Sequence, residues 1–447
     1  MLAAACAAQA QQPGHIEALL SSVEGGSPEL EASLDRWKRN DMQEQARNRV
    51  LNEMEAGAAA FLRGYFRHAE VLFSDAQQQI ETIYADNPAA EAARSKFVPE
   101  SNKEFKGDPY ERAMVGYYLG LIDLARGEYD NARAGFRFAQ LQDTMSASET
   151  YQDDMALMQY LVGWAYWCEG NPQQAKEEFR HAQATRPGLP LPVPGDNLLM
   201  IAELGNAPVK VTSGKYNELL GYREGASAPE QQVAFSVDGK ITTARLAEDL
   251  YFQASTRGGS AVESIRAGKA SFREGAETIA NAAAGIGKTA LGASLLTKGK
   301  TSRDMLKVGL VAGLANVVSD SVARSTETAA DARAWTSLPA TIHIATARLD
   351  SGHASVEAGF FAADGKVLQS RAMRKMAAPD GTCTLAYARP APASGVWASG
   401  GPAKWRTMPA LAGVLATTQT PAAPKEVEIS DEGQALLDMV RMMRTGN

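Results

Sequence analysis

Residues 156–188 alternate small and large side chains in an order that suits a pair of close-packed helices. Val162 and Gly163, Tyr166, Gly170, Ala175, Phe179, Ala182 and Pro187 follow one another as branched, small, aromatic, turn, small, large, small and terminating positions. Two antiparallel helices approach closely only where small residues meet, with large ones filling the space beside them. Gly163 and Ala175 are therefore expected at the close approach, with Tyr166 and Phe179 next to it. Gly170 supplies the turn, because glycine takes positive φ at no steric cost, and Pro187 ends the second helix.

Two copies of the pattern precede it. Leu119, Gly120, Gly127, Tyr129, Ala132, Phe136 and Ala139 occupy the corresponding places in one; Gly57, Gly64, Tyr65, Ala69, Phe73 and Ala76 do so more weakly in the other. The alanines Ala69, Ala132 and Ala175 are 63 and 43 residues apart, where an uninterrupted array of such hairpins repeats at about 34, so insertions break the array. Asp108, Pro109 and Glu111 read as N-cap, first helical position and capping-box partner of a strong helix start.

The pattern resembles a tetratricopeptide repeat (TPR), of which about three are needed for a stable stack. In such repeats the first helix lines a concave groove. The groove positions here are Met114, Tyr117, Leu121 and Leu124 in the middle copy and Leu157, Tyr160, Trp164 and Trp167 in the last. An apolar stripe of this kind accepts a helix or an extended segment. The occupant is either a protein partner or another part of this chain, and the second is favoured because a bare aromatic stripe is an unusual surface.

Beyond residue 186 the period changes. The run Pro187-Gly-Leu-Pro-Leu-Pro-Val-Pro194 stops the helices and marks a domain boundary. Leu198 to Ala202, Val233 to Val237, Thr341 to Ala345 and Ser355 to Phe361 then read as strands, with turns at Asp238-Gly239 and Asp364-Gly365. Residues 243–334 read as a helical insertion rich in Ala and Gly. The expected fold class is α+β. A TPR-like helical domain at 21–190 follows a signal and tether at 1–20, and precedes a small β-sandwich-like domain at 191–370 interrupted by that insertion. A low-complexity tail at 371–447 ends in a helix from Asp431 to Arg444.

With 45% apolar and 22% charged residues over 447 positions, the chain has material for a sizeable core and for two or three domains. Its net charge of -7 argues against generic nucleic-acid binding, which needs dense Lys and Arg to displace counterions. No stretch reaches the roughly 20 apolar residues of a membrane span; the longest candidate is Val308 to Val318. The three cysteines, Cys6, Cys168 and Cys383, look too few and too scattered for a disulfide framework or a zinc site. Cys168 reads as a small buried apolar residue. Cys6 follows Leu2-Ala3-Ala4-Ala5, similar to the end of a bacterial lipoprotein signal, where the cysteine is acylated. The Gln-rich run from Gln9 to Gln12 suits a tether.

Phe105-Lys-Gly-Asp-Pro-Tyr-Glu-Arg112 and Asp331-Ala-Arg-Ala-Trp-Thr-Ser-Leu-Pro339 resemble, in that order, the two marks of an uncharacterised family of bacterial TPR-containing lipoproteins. The resemblance covers roughly residues 50–365. It implies an outer-membrane-anchored protein of the periplasm, loosely associated with lipoproteins that activate peptidoglycan synthases. It makes Asp108, Pro109, Tyr110, Glu111 and Arg112, with Asp331, Arg333, Trp335, Leu338 and Pro339, its structural signature. Read physically, Trp335 and Leu338 plug the sheet while Arg333 pairs with a carboxylate, a clasp between insertion and sheet.

Other signals are weaker. Ala282 to Thr289 imitates a phosphate-binding loop, but a helix-like segment precedes it where that motif needs a strand. Nine Lys or Arg against four Asp or Glu between Arg257 and Leu310 read as a solvated helical face, with an anionic membrane or glycan surface as the alternative. The histidines His15, His68, His181, His343 and His353 are dispersed; His68 and His181 read as exposed or nearly so, and His343 and His353 as cross-strand neighbours without a third ligand. No catalytic constellation, cofactor, metal or nucleotide site stands out. The expected function is a scaffold or adaptor for protein partners of the cell envelope, held to the membrane by a lipid on Cys6 alone. A cytosolic TPR adaptor and a cryptic envelope enzyme are the alternatives.

Overall fold

The computed structural model describes residues 13–84, 104–144, 155–213, 217, 219–256, 330–350, 352, 354–379 and 381–390. Within them the protein is mixed α+β, with an N-terminal helical region and later sheets. The helices are α1 (His15–Leu20), α2 (Pro28–Glu44), α3 (Arg49–Arg63), α4 (Phe66–Tyr84), α5 (Pro109–Arg126), α6 (Tyr129–Thr144), α7 (Ala156–Cys168) and α8 (Pro172–Thr185), with a short α9 (Leu250–Thr256) among the strands. Cys6, His353, the phosphate-loop-like and basic segments and the C-terminal helix at 431–444 lie outside the described residues.

Three helical hairpins, α3/α4, α5/α6 and α7/α8, repeat one contact. A Cβ added to Gly57 would lie 2.7 Å from the Phe73 ring, and one at Gly163 would lie 2.9 Å from the Phe179 ring; Gly120 stands closer still to Phe136. What covers Gly163 is thus the Phe179 ring. Ala69, Ala132 and Ala175 are fully buried, as close packing requires. In α5/α6 the backbones come nearest, because a Cβ on Gly135 would lie 3.0 Å from the Gly120 nitrogen. The α5 turn closes on Gly127 at φ 76, and the Glu128 N–H donates to Asp123 O at 2.9 Å.

The helical region also starts earlier than the sequence suggested. Residues 15–20, assigned to a tether, form α1, because Ile16 and Leu20 share a face and bury it.

The strands form three sheets. Five strands run in the order β10 (Arg374–Ala377), β11 (Thr384–Ala388), β1 (Leu198–Leu204), β7 (Thr341–Ala347) and β6 (Arg245–Asp249). β1 is parallel to β11, and the other pairs are antiparallel. Four antiparallel strands run β5 (Lys240–Thr243), β4 (Gln232–Val237), β8 (Val356–Phe361), β9 (Val367–Ala372). A ribbon pairs β2 (Val209–Ser213) with β3 (Leu219–Arg223).

Alternation along β1 places it between two cores. Leu199 and Ile201 join the helices, whereas Leu198, Met200, Ala202 and Leu204 meet Val233, Phe235 and Phe360 of the four-stranded sheet. The order is therefore helices, five-stranded sheet, four-stranded sheet.

Two boundaries differ from expectation. β10 and β11 come from the stretch assigned to the tail, where the Ala- and Thr-rich composition hid the alternation of Leu385 and Tyr387 with Ala386 and Ala388. The insertion expected to be helical from 243 to 334 begins as the strand β6, whose partner β7 lies far along the chain. Among the described residues no helix is long and apolar enough to cross a membrane.

Candidate functional site

The expected groove is filled by the protein itself. Met114, Tyr117, Leu121, Leu124, Leu157, Tyr160 and Trp164 are buried, in one core with Leu199, Ile201, Ile342, Ile344, Leu385 and Tyr387 from the five-stranded sheet. Trp167 is half-buried, and its indole N–H donates to Asp196 O at 2.8 Å. Of the two occupants weighed, the favoured one, another part of the chain, is found: at the seven buried positions a sheet face of matching hydrophobicity covers the apolar stripe, and the partner-binding assignment is corrected there.

The two signature segments meet, although more than 200 residues separate them. At the head of α5, Asp108 and Glu111 form the expected capping box, the Asp108 N–H donating to Glu111 Oε2 at 2.7 Å. Lys210 from β2 places Nζ 2.6 Å from Asp108 Oδ2 and 2.7 Å from Glu111 Oε2. Tyr222 from β3 donates to Asp108 at 2.7 Å. The Trp335 N–H donates to Glu111 Oε1 at 2.7 Å, and Thr336 gives both its N–H and its hydroxyl to Glu55. Arg112 donates to Gln142 and to Gly107 O, each at 2.7 Å. Pro109 and Tyr110 are buried beside the cluster.

Arg333 pairs with Asp331 at 2.6 Å, as expected, and also donates to Asn48 Oδ1 at 2.6 Å, with its guanidinium 5.5 Å from the centre of the Phe105 ring. Trp335, Leu338 and Pro339 are buried. The indole of Trp335 lies 5.8 Å from the rings of both Phe73 and Tyr118, so it plugs the helices as much as the sheet. The clasp joins the helical region to the β2–β3 ribbon and the lead-in to β7.

Burial opposes the charge of Lys210, yet Asp108 and Glu111 outweigh it and hold the ammonium above its ordinary range. Burial likewise opposes the charge of Asp108, but Lys210 keeps its carboxyl low. For Glu111 burial prevails and raises it. The chain itself supplies partners to both carboxylates, so this cluster holds elements together.

Another buried carboxylate escaped the sequence reading. Glu203, in β1, accepts from the Tyr118 hydroxyl at 3.1 Å and lies 3.7 Å from Arg389, with burial raising its carboxyl. It joins the middle hairpin to the five-stranded sheet from within.

A third group was also missed. His15 of α1, Glu53 of α3 and Asp75 of α4 bring Nε2 within 3.3 Å of Glu53 Oε1 and 2.8 Å of Asp75 Oδ2. Glu53 is fully buried, whereas His15 and Asp75 are partly open to solvent. The hydrogen bond to Glu53 raises His15 to about 9 against the opposing effect of burial, with Asp75 adding to it; burial raises Glu53 to about 8. A neighbour set of one imidazole and two carboxylates is one that can hold a metal ion.

The other described histidines, His68, His181 and His343, lie outside this group. His343 is buried and depressed to about 4 by loss of solvent, with Arg186 assisting. His68 is buried too, which corrects its exposed placement, while His181 is exposed beside Glu177 at 3.0 Å.

Cys168 and Cys383 form a disulfide, their Cα atoms 5.7 Å apart across 215 residues of sequence. This overturns the reading of Cys168 as a lone apolar residue. β11 runs beside β1 and carries Cys383 to the end of α7, a meeting that no sequence spacing announces.

No protein-family model matches the chain, and neither a curated protein nor a solved structure matches it.

Proposed function

We propose that this protein is a non-enzymatic scaffold of the bacterial cell envelope, periplasmic and tethered to the outer membrane by a lipid on Cys6. In this reading the three hairpins are tetratricopeptide-type repeats, and the partners are envelope proteins such as those that build peptidoglycan. The observation that carries the reading is the Cys168–Cys383 disulfide. Such bonds persist in oxidising compartments, the periplasm among them, and are rare in the cytosol. The disulfide therefore favours the envelope over a cytosolic adaptor.

With the groove filled, partners meet the outer surface. There the proline-rich segment 187–194 exposes Leu191 and Val193, at 50% and 60% of their full area. Leu189 is buried and Trp167 bonds to Asp196, so the segment is pinned at both sides. Proline stiffness lowers the entropy lost when such a display is bound.

The test uses the full-length protein produced at native level in its own host. Fractionation with maleimide trapping should find it with the outer membrane, with Cys168 and Cys383 unreactive until reduced. A fatty-acid label should be lost in Cys6→Ala, and a photoreactive residue at Leu191 should crosslink to an envelope protein. Free thiols in a cytosolic fraction would instead select the cytosolic adaptor.

A further inference from the structure

We propose that His15, Glu53 and Asp75 form a binding site for one divalent transition-metal ion, zinc being the ion whose ligand preferences the set matches. The site goes beyond the scaffold reading and does not depend on it.

Three helices converge to build it. Glu53 and Asp75 face each other across the α3/α4 hairpin, which fixes both carboxylates on packed backbone, and His15 enters at the first residue of α1. Ligand atoms around one zinc, at bonds of about 2.0–2.2 Å, stand roughly 3.3–3.6 Å apart in a tetrahedron, so the His15–Asp75 pair opens by about half an ångström to admit the ion. The imidazole nitrogen lies 3.3 and 2.8 Å from its two oxygens, and all three ligand atoms lie within 4.8 Å of one another. Three protein ligands leave a position for water, and the partial exposure of His15 and Asp75 gives the ion a way in.

A supporting contact orients the carboxylates. Gln79, one turn beyond Asp75, donates its amide to both oxygens of Glu53 at 2.9 Å and to Asp75 at 2.5 Å. Such outer contacts fix the direction of ligating groups at metal sites. On the other side, the Ile16 N–H donates to Asp41 Oδ2 at 3.0 Å, which seats the start of α1 against α2.

Charge favours a dication. Two carboxylates, one of them fully buried, face a single imidazole, and an isolated buried charge is costly. A divalent ion bound by neutral imidazole and both carboxylates matches their combined charge, and the protons it displaces from His15 and Glu53 leave to solvent.

The experiment titrates zinc chloride into tag-free, chelator-stripped full-length protein carrying Cys6→Ser, followed by calorimetry, with cobalt as an optical probe. One ion per chain is expected, with visible cobalt bands. His15→Gln and Asp75→Asn should each weaken binding by about tenfold or more, while circular dichroism keeps its native form. Absence of stoichiometric binding, or binding undiminished in both folded variants, would overturn the site and leave an ion pair alone. Neither outcome bears on the localisation test, so the two readings fail separately.

Discussion

Gly120 lies directly beneath the ring of Phe136, the same relation that Gly57 has to Phe73 and Gly163 to Phe179. In each hairpin the phenylalanine follows its glycine by sixteen positions. Gly120→Ala would drive a methyl into the Phe136 ring; overpacking of this kind costs about 1–3 kcal/mol. Urea denaturation should show a lowered midpoint for Gly120→Ala. Gly170→Ala tests the other role of glycine: nothing lies within 4 Å there, so its loss should come from the positive φ alone.

The disulfide ties α7 to β11, and its removal should cost about 2–5 kcal/mol. Cys168→Ser, Cys383→Ser and the double variant should fall to a similar melting temperature, because each breaks the same bond. Added reductant should lower the native protein to that level and leave the double variant unmoved.

Lys210 is the counter-charge of Asp108 and Glu111 in a buried setting. Lys210→Met strands those carboxylates, and breaking a buried pair in this way costs about 3–5 kcal/mol. The defect should shrink as pH falls, since protonation removes the stranded charge. Chemical denaturation of both proteins between pH 7 and pH 4 measures the difference; a defect independent of pH would point to lost packing instead.

His343 supplies a pH dependence of its own. Burial holds it at about 4 in the folded protein against an ordinary value of 6.5, so the unfolded chain binds the extra proton between those limits. Its contribution is therefore complete above pH 6.5 and is lost as pH falls toward 4, by up to about 3 kcal/mol. His343→Gln should flatten the stability curve in that window, measured by guanidinium denaturation at several pH values.

What the sequence disclosed follows the range of the forces involved. The hairpins were legible because Gly120, Gly127 and Phe136 act within a few turns of one another. β1, β4, β7 and β8 were legible from local alternation and their turns. β11 was not, since its parallel pairing with β1 joins residues almost two hundred positions apart, and its short Leu385–Tyr387 alternation lies in an Ala- and Thr-rich stretch. The signature residues Asp108, Glu111 and Trp335 were picked out by pattern, but Lys210, the partner of both carboxylates, carried no signal in its own neighbourhood. His15, Glu53 and Asp75 come from three helices with no shared spacing, so only tertiary packing brings them together.

β11 enters the five-stranded sheet beside β1 yet reaches it after every other described strand and helix. During vectorial delivery from the N-terminus, the stacked hairpins emerge with Tyr117 and Trp164 still lacking the sheet's finished cover. A ribosome or secretion channel must therefore release the chain to about residue 388 before the interior can dry, and any truncation short of that point leaves a sticky intermediate for a chaperone to shield.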